Sequence, residues 1–132
     1  AKRVPSIYDQ TSAMVDGEVR LYDEYRGTVE ESDRGQSASD SIGDAKWALL
    51  ANHGVLVVAG SISQAYLRAA TLEGRCRHAW HVGVLGGGEA LDPKVANETG
   101  SLADTNGFPF MWEAEARRQM RAHPEVLSSG PL

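Results

Sequence analysis

The hydrophobic pattern of this chain changes period several times, and each change marks an expected element. Val19-Arg20-Leu21-Tyr22 alternates apolar and polar residues as a half-buried strand does, just after a turn at Gly17. Further on stand two short apolar runs, Trp47 to Ala51 and Val55 to Ala59, whose near-continuous hydrophobicity predicts strands buried on both faces. Asn52-His53-Gly54 separates them. Asn and Gly tolerate positive φ, so a tight reversal here costs little strain and puts His53 at a hairpin tip. Ser61-Ile62-Ser63-Gln64 then has capping-box spacing, in which the Ser61 hydroxyl and the Gln64 side chain satisfy first-turn amides. The long helix it opens repeats Ile62, Ala65, Tyr66, Ala69, Leu72, Cys76, Ala79 and Trp80 at helical spacing. Gln64, Arg68, Arg75 and His78 fall largely on its other side, so the helix is expected to pack on the sheet through the apolar stripe.

Gly86-Gly87-Gly88 ends this helix, and Asp92-Pro93 starts a shorter one with Pro at its first position. Asn106-Gly107 breaks that helix, and a last one runs from about Pro109 to Ala122 and stops at Pro124. The stretch 27–43, rich in Ser, Asp, Glu and Gly, reads as a surface loop with a short helix near Ser37–Asp44. The opening from Val4 to Thr11 reads as extended chain without a helix-start signal. Strand, hairpin, helix, helix, helix is the order of an α/β fold.

Composition narrows the function classes. A net charge of −5 with scattered basic residues argues against a nucleic-acid or anionic-membrane surface, since both select a concentrated positive face. Small metabolites or protein partners fit better. No apolar run approaches the roughly 18 residues of a membrane span, and Ala1 to Pro5 has no signal-peptide core, so a cytoplasmic location is the expectation. Cys76 is the only cysteine, which leaves His and carboxylates as ligands for any metal.

Among the histidines, His53 is the candidate metal ligand: an imidazole held between two strands has a fixed direction, as a metal site requires. A histidine at a hairpin tip is also commonly a plain surface residue. Glu73 lies on the apolar stripe and needs a basic or hydrogen-bonding partner, which suggests a structural or subunit-contact role. Arg68, Arg75 and Arg77 read as a solvated helix face or as intersubunit ion pairs, in preference to an anion site. His78 and His81 read as exposed or interfacial, and Cys76 as a small core residue. The glycines at 86–88 lack the strand and spacing of a dinucleotide fingerprint.

The string from Leu49 to Ile62 around Asn52-His53-Gly54, with the helix from Ala65 to Glu73 behind it, resembles the class II aldolase/adducin family. Tyr8 to Met14, Trp112 and Arg117 resemble its adducin-like branch. The resemblance implies that the chain is the C-terminal portion of a three-layer αβα sandwich, with 1–132 as the C-terminal part of one domain. It implies His53 as a ligand of a divalent metal, with Zn the first choice, and a likeness to metal-dependent carbon–carbon lyases of aldolase or decarboxylase type. In that chemistry the metal stabilises an enediolate formed from a small hydroxy-carbonyl or hydroxy-acid substrate. The imidazole must be neutral to bind, so metal binding weakens as pH falls. A homo-oligomer, a tetramer in the family, is implied, with Phe108 to Trp112 as a segment that packs on its own domain or closes a neighbour's site.

The sequence departs from the family pattern in one respect. Its four histidines, His53, His78, His81 and His123, form no H-x-H pair, and that pair supplies the family's other two metal ligands. The expectation is therefore a missing N-terminal half that carries both the pair and the catalytic acid/base, and a chain inactive alone. Two alternatives stay open: a non-enzymatic adducin-like interaction and assembly domain, and a small independent α/β binding module.

Overall fold

The computed structural model describes residues 3–23, 36, 39–106 and 108–127. Among the described residues its sheet has three strands, β1 (Arg20–Tyr22), β2 (Trp47–Leu50) and β3 (Gly54–Val57), in the spatial order β1-β2-β3. β1 and β2 are parallel, with Arg20 opposite Ala48. β2 and β3 form the expected antiparallel hairpin, with Leu50 opposite Gly54. A parallel pair needs a long crossover. Residues 39–42 of that crossover are helical, in keeping with the short helix expected there, while 24–35, 37 and 38 lie outside the described residues.

Three helices follow: α1 (Ile62–Val84), α2 (Pro93–Asn106) and α3 (Pro109–Ala122). Their ends lie where the capping signals put them. Ser61 is extended and accepts from the Gln64 amide at 3.2 Å, while Gln64 Oε1 accepts from Gly60 N–H at 3.1 Å. Gly86, at φ 97°, closes α1, and the Gly87 amide donates to the Val82 carbonyl at 2.9 Å. Asp92 Oδ1 accepts from the Lys94 and Val95 amides, with Pro93 at the first helical position. Pro109 begins α3, and Pro124 ends the helical run by starting a 3₁₀ turn, Pro124–Leu127. Among the described residues, no helix is long and apolar enough to cross a membrane.

The core gathers Val15, Val19, Trp47, Leu67 and Leu72, with Leu49, Cys76, Phe108 and Met111 packed against it. The aromatic segment thus packs on its own domain, and Trp112 meets Tyr66 of α1 at 5.9 Å between ring centroids. Two expectations need correction. β3 is not buried on both faces: it lies at the sheet edge, and Val55 is 54% exposed. The buried face of α1 is also not the apolar stripe. It consists of Leu67, Arg68, Thr71, Leu72 and Arg75, while Ile62 and Trp80 are largely exposed. At 100° per residue the buried face is turned by roughly a third of a turn from the stripe. The apolar count missed it because two of its members are arginines whose heads find partners inside.

Arg68 makes the stronger of these attachments. Its Nε and Nη2 grip both carboxylate oxygens of Asp104 at 2.8 and 2.7 Å, and Nη1 donates to the Val58 carbonyl. Lys46 joins from the start of β2, donating to Asp104 Oδ2 at 2.7 Å and to Asp16. Burial alone would raise the Asp104 pKa, but Arg68 and Lys46 outweigh it and hold the carboxyl below its ordinary 3.8. This cluster joins α1 and α2 to the sheet and to the loop after the first 3₁₀ turn, Thr11–Ala13. At the same joint Gly100 approaches that loop so closely that a Cβ there would lie 2.4 Å from the Asp16 nitrogen.

Candidate functional site

The β2–β3 turn is a three-residue loop, Ala51-Asn52-His53, closed by the His53 amide donating to the Leu50 carbonyl at 3.1 Å. Asn52 takes the left-handed conformation at φ 57° and Gly54 stands at φ 153°. A Cβ on Gly54 would touch nothing, so backbone conformation, not crowding, is what favours glycine there. The turn therefore directs His53 by local geometry, and His53 is exposed.

A cleft of about 540 Å³ opens beside it. Leu49 and His53 form its hairpin side, Cys76, Ala79 and Trp80 of α1 its helical side, and Arg3 reaches it from the N-terminal segment. Among the described residues no Asp or Glu lines it, although the chain has 18 acidic residues. Burial raises the Cys76 pKa, and nearby Glu73 adds to the effect, so its thiolate is disfavoured and it is no activated nucleophile. The volume suits a small metabolite.

His53 has the chemistry of a metal ligand, but a catalytic zinc takes three protein donors. Among the described residues, no group of three or more His, Cys, Asp and Glu side chains is placed to hold a metal ion. The donor set present here does not by itself make a metal centre. His81 meets Trp80 at 5.0 Å between ring centroids with the rings tilted by 51°, and His123 lies beside Glu125.

His78 belongs to a second constellation, which sequence reasoning missed. Its Nδ1 lies 2.6 Å from Asp9 Oδ2 and 3.2 Å from Ser12 Oγ. Ser12 donates to Asp9 through its hydroxyl at 2.6 Å and its amide at 3.0 Å, and the Thr11 hydroxyl adds a further bond. Burial opposes ionisation of Asp9, yet these donors outweigh it and push its pKa far below the carboxylate range. The trio is no nucleophilic triad. Serine and aspartate meet the same imidazole nitrogen, whereas a base bridges the two through opposite nitrogens, and Ser12 is 1% exposed. Asp9 instead caps the first 3₁₀ turn and His78 docks α1 onto it. The Asp9-x-x-Ser12 spacing announces the cap; nothing local announces the histidine 69 positions away.

Glu73 pairs with Arg77 at 2.9 Å, so the expected basic partner exists, but on an exposed surface. Arg68 and Arg75, expected on a solvated helix face or in intersubunit ion pairs, are both 8% exposed.

These features define an α/β fold that presents one histidine on a hairpin beside a cleft. The family described as Class II Aldolase and Adducin N-terminal domain matches residues 1–80, a span that contains the sheet, the His53 turn and α1 as far as Trp80. The chain belongs to the class II aldolase and adducin family. No curated protein matches it.

Proposed function

We propose that this chain forms part of a divalent-metal-dependent carbon–carbon lyase, of aldolase or decarboxylase type, to which it contributes His53 as one metal ligand. The reading rests on the Asn52-His53-Gly54 turn: a directed imidazole at the mouth of a cleft, in a chain of this family. In this proposal Zn is the favoured ion. The remaining ligands and the acid/base come from an N-terminal H-x-H portion outside these 132 residues, and the sheet is part of a three-layer αβα sandwich in a homo-oligomer. The cleft receives a small hydroxy-carbonyl or hydroxy-acid substrate, and Arg3 supplies fixed positive charge to hold its acidic end.

The competing reading is an adducin-like interaction domain that keeps the fold without the chemistry. Both readings share the fold and the His53 turn, and the donor groups among the described residues are the same under either. Metal content separates the two. The chain joined to the family's H-x-H portion should retain about one equivalent of zinc per subunit by mass spectrometry, and His53→Ala should lose most of it, since a catalytic site needs three protein donors. Equal metal in both proteins would remove the lyase reading.

A further inference from the structure

Arg75 sits in the middle of α1, 8% exposed, and makes no ion pair with any carboxylate among the described residues. Its Nε–H donates to the Pro5 carbonyl at 2.8 Å, and its two terminal nitrogens have no hydrogen-bond partner among the described residues. Among the described residues the only fully enclosed side-chain polar atom without a partner is Trp47 Nε1, so the Arg75 terminal nitrogens are not fully enclosed. Arg75 lines a second cavity of about 340 Å³, which shares no lining residue with the His53 cleft.

A buried guanidinium with one carbonyl partner is costly, because desolvation is not repaid by an opposite charge. The same burial depresses the Arg75 pKa, and no nearby carboxylate offsets it. Its counterpart Arg68 shows the usual remedy, a bidentate carboxylate. Around Arg75 the walls supply what a ligand carboxylate would need. Ser6 and Asn97 offer polar side chains, Ile7 and Leu91 an apolar surface, and α2 begins at Pro93 alongside. The first amides of α2 are already taken by Asp92, whose carboxylate offsets the dipole at that helix end, so Arg75 supplies the positive charge. Glu18 lines the cavity but pairs with Arg20 at 3.2 Å.

We infer that this cavity is a binding site for a small organic monocarboxylate, whose carboxylate meets the terminal nitrogens of Arg75 while its short apolar body lies against Ile7 and Leu91. One guanidinium with an acidic side chain in the same lining suits a single negative charge better than a phosphate dianion. The planar fork matches a carboxylate. The volume, near the low end of ligand cavities, sets the size at a few carbons. The site is independent of His53 and of any metal.

The test is a titration of the full chain, labelled with ¹⁵N, with sodium propionate, sodium phosphate and sodium chloride at matched ionic strength, followed through the Arg75 Nε–Hε signal. Propionate should shift that signal and the Ser6 and Asn97 amides saturably, and chloride should not. Read at the Ser6 and Asn97 amides, Arg75→Lys, which keeps the charge and loses the fork, should weaken the response about tenfold, and Arg75→Met should abolish it. Because the wild-type titration stands alone, a variant that fails to fold does not remove the test. Propionate shifts no larger than those of chloride would overturn the site. Saturation by phosphate at lower concentration than propionate would overturn the ligand class. Propionate binding that persists in metal-free His53→Ala is expected whichever reading of the cleft holds.

Discussion

The His53 turn and the Arg68–Asp104–Lys46 cluster use ionisable side chains in opposite ways. The turn is made by three consecutive residues, leaves its imidazole exposed, and depends on backbone conformations that Asn52 and Gly54 adopt cheaply. The cluster is made by residues 36 and 58 positions apart, is anchored on an Asp104 only 3% exposed, and exists only because two helices and the sheet have already met. One is chemistry offered outward at little cost to stability. The other is charge held inward, and its removal should be felt by the whole fold.

The sharpest way to break this contrast is Asp104→Ala. It strands Arg68 and Lys46 without their shared carboxylate, and should lower unfolding free energy by about 3–5 kcal/mol, read from urea denaturation. A cost close to that of His53→Ala would mean that the cluster does not organise the joint.

Acid should act through the same groups. The folded pKa values of Asp104 and Asp9 lie below the ordinary 3.8. Their contribution is therefore complete above 3.8 and is lost as pH falls below it toward the folded values. Lys46 is the mirror case: burial alone would lower its pKa, but Asp104 and Asp16 raise it above 10.5, so its contribution holds below 10.5 and is lost as pH rises through the folded value. Urea midpoints measured across the acid limb should fall steeply in the wild type and less so in Asp104→Ala.

Gly100→Ala tests the closeness of the joint without touching charge. The added methyl meets the Asp16 backbone, and the expected loss is about 1–3 kcal/mol despite the better helix propensity of alanine. A thermal unfolding midpoint equal to wild type would show that α2 can back away freely.

At the turn the effects shrink. Asn52→Ala puts a residue with a Cβ and no local hydrogen bonding into the left-handed region, and should cost about 1–2 kcal/mol, whereas Asn52→Gly should be close to neutral. Smallest of all is His53→Ala, expected within about 0.5 kcal/mol of wild type by the same urea assay.

Much of the architecture is legible in local sequence. The hairpin, the Ser61 cap, the glycine stop of α1 and the proline starts of α2 and α3 all lie where turn and capping chemistry places them. The candidate site is legible to the same extent: His53 is visible because its turn is local. The cleft beside it is not, because Arg3 and Trp80 reach it from segments far apart in the chain. The face that α1 buries was misread for a related reason. A hydrophobic period counts apolar side chains, and it scores Arg68 and Arg75 as outward when each has found an acceptor inside.

The sequence by itself determined the elements, their ends and the outward histidine, because caps, tight turns and helical periodicity are settled within a few residues of backbone. Only the tertiary structure decided which charges are interior. Arg68 finds Asp104 across 36 positions, and Arg75 finds, among the described residues, only the Pro5 carbonyl across 70. The free energy of a buried charge depends on the partner that packing delivers, and no local pattern carries that information.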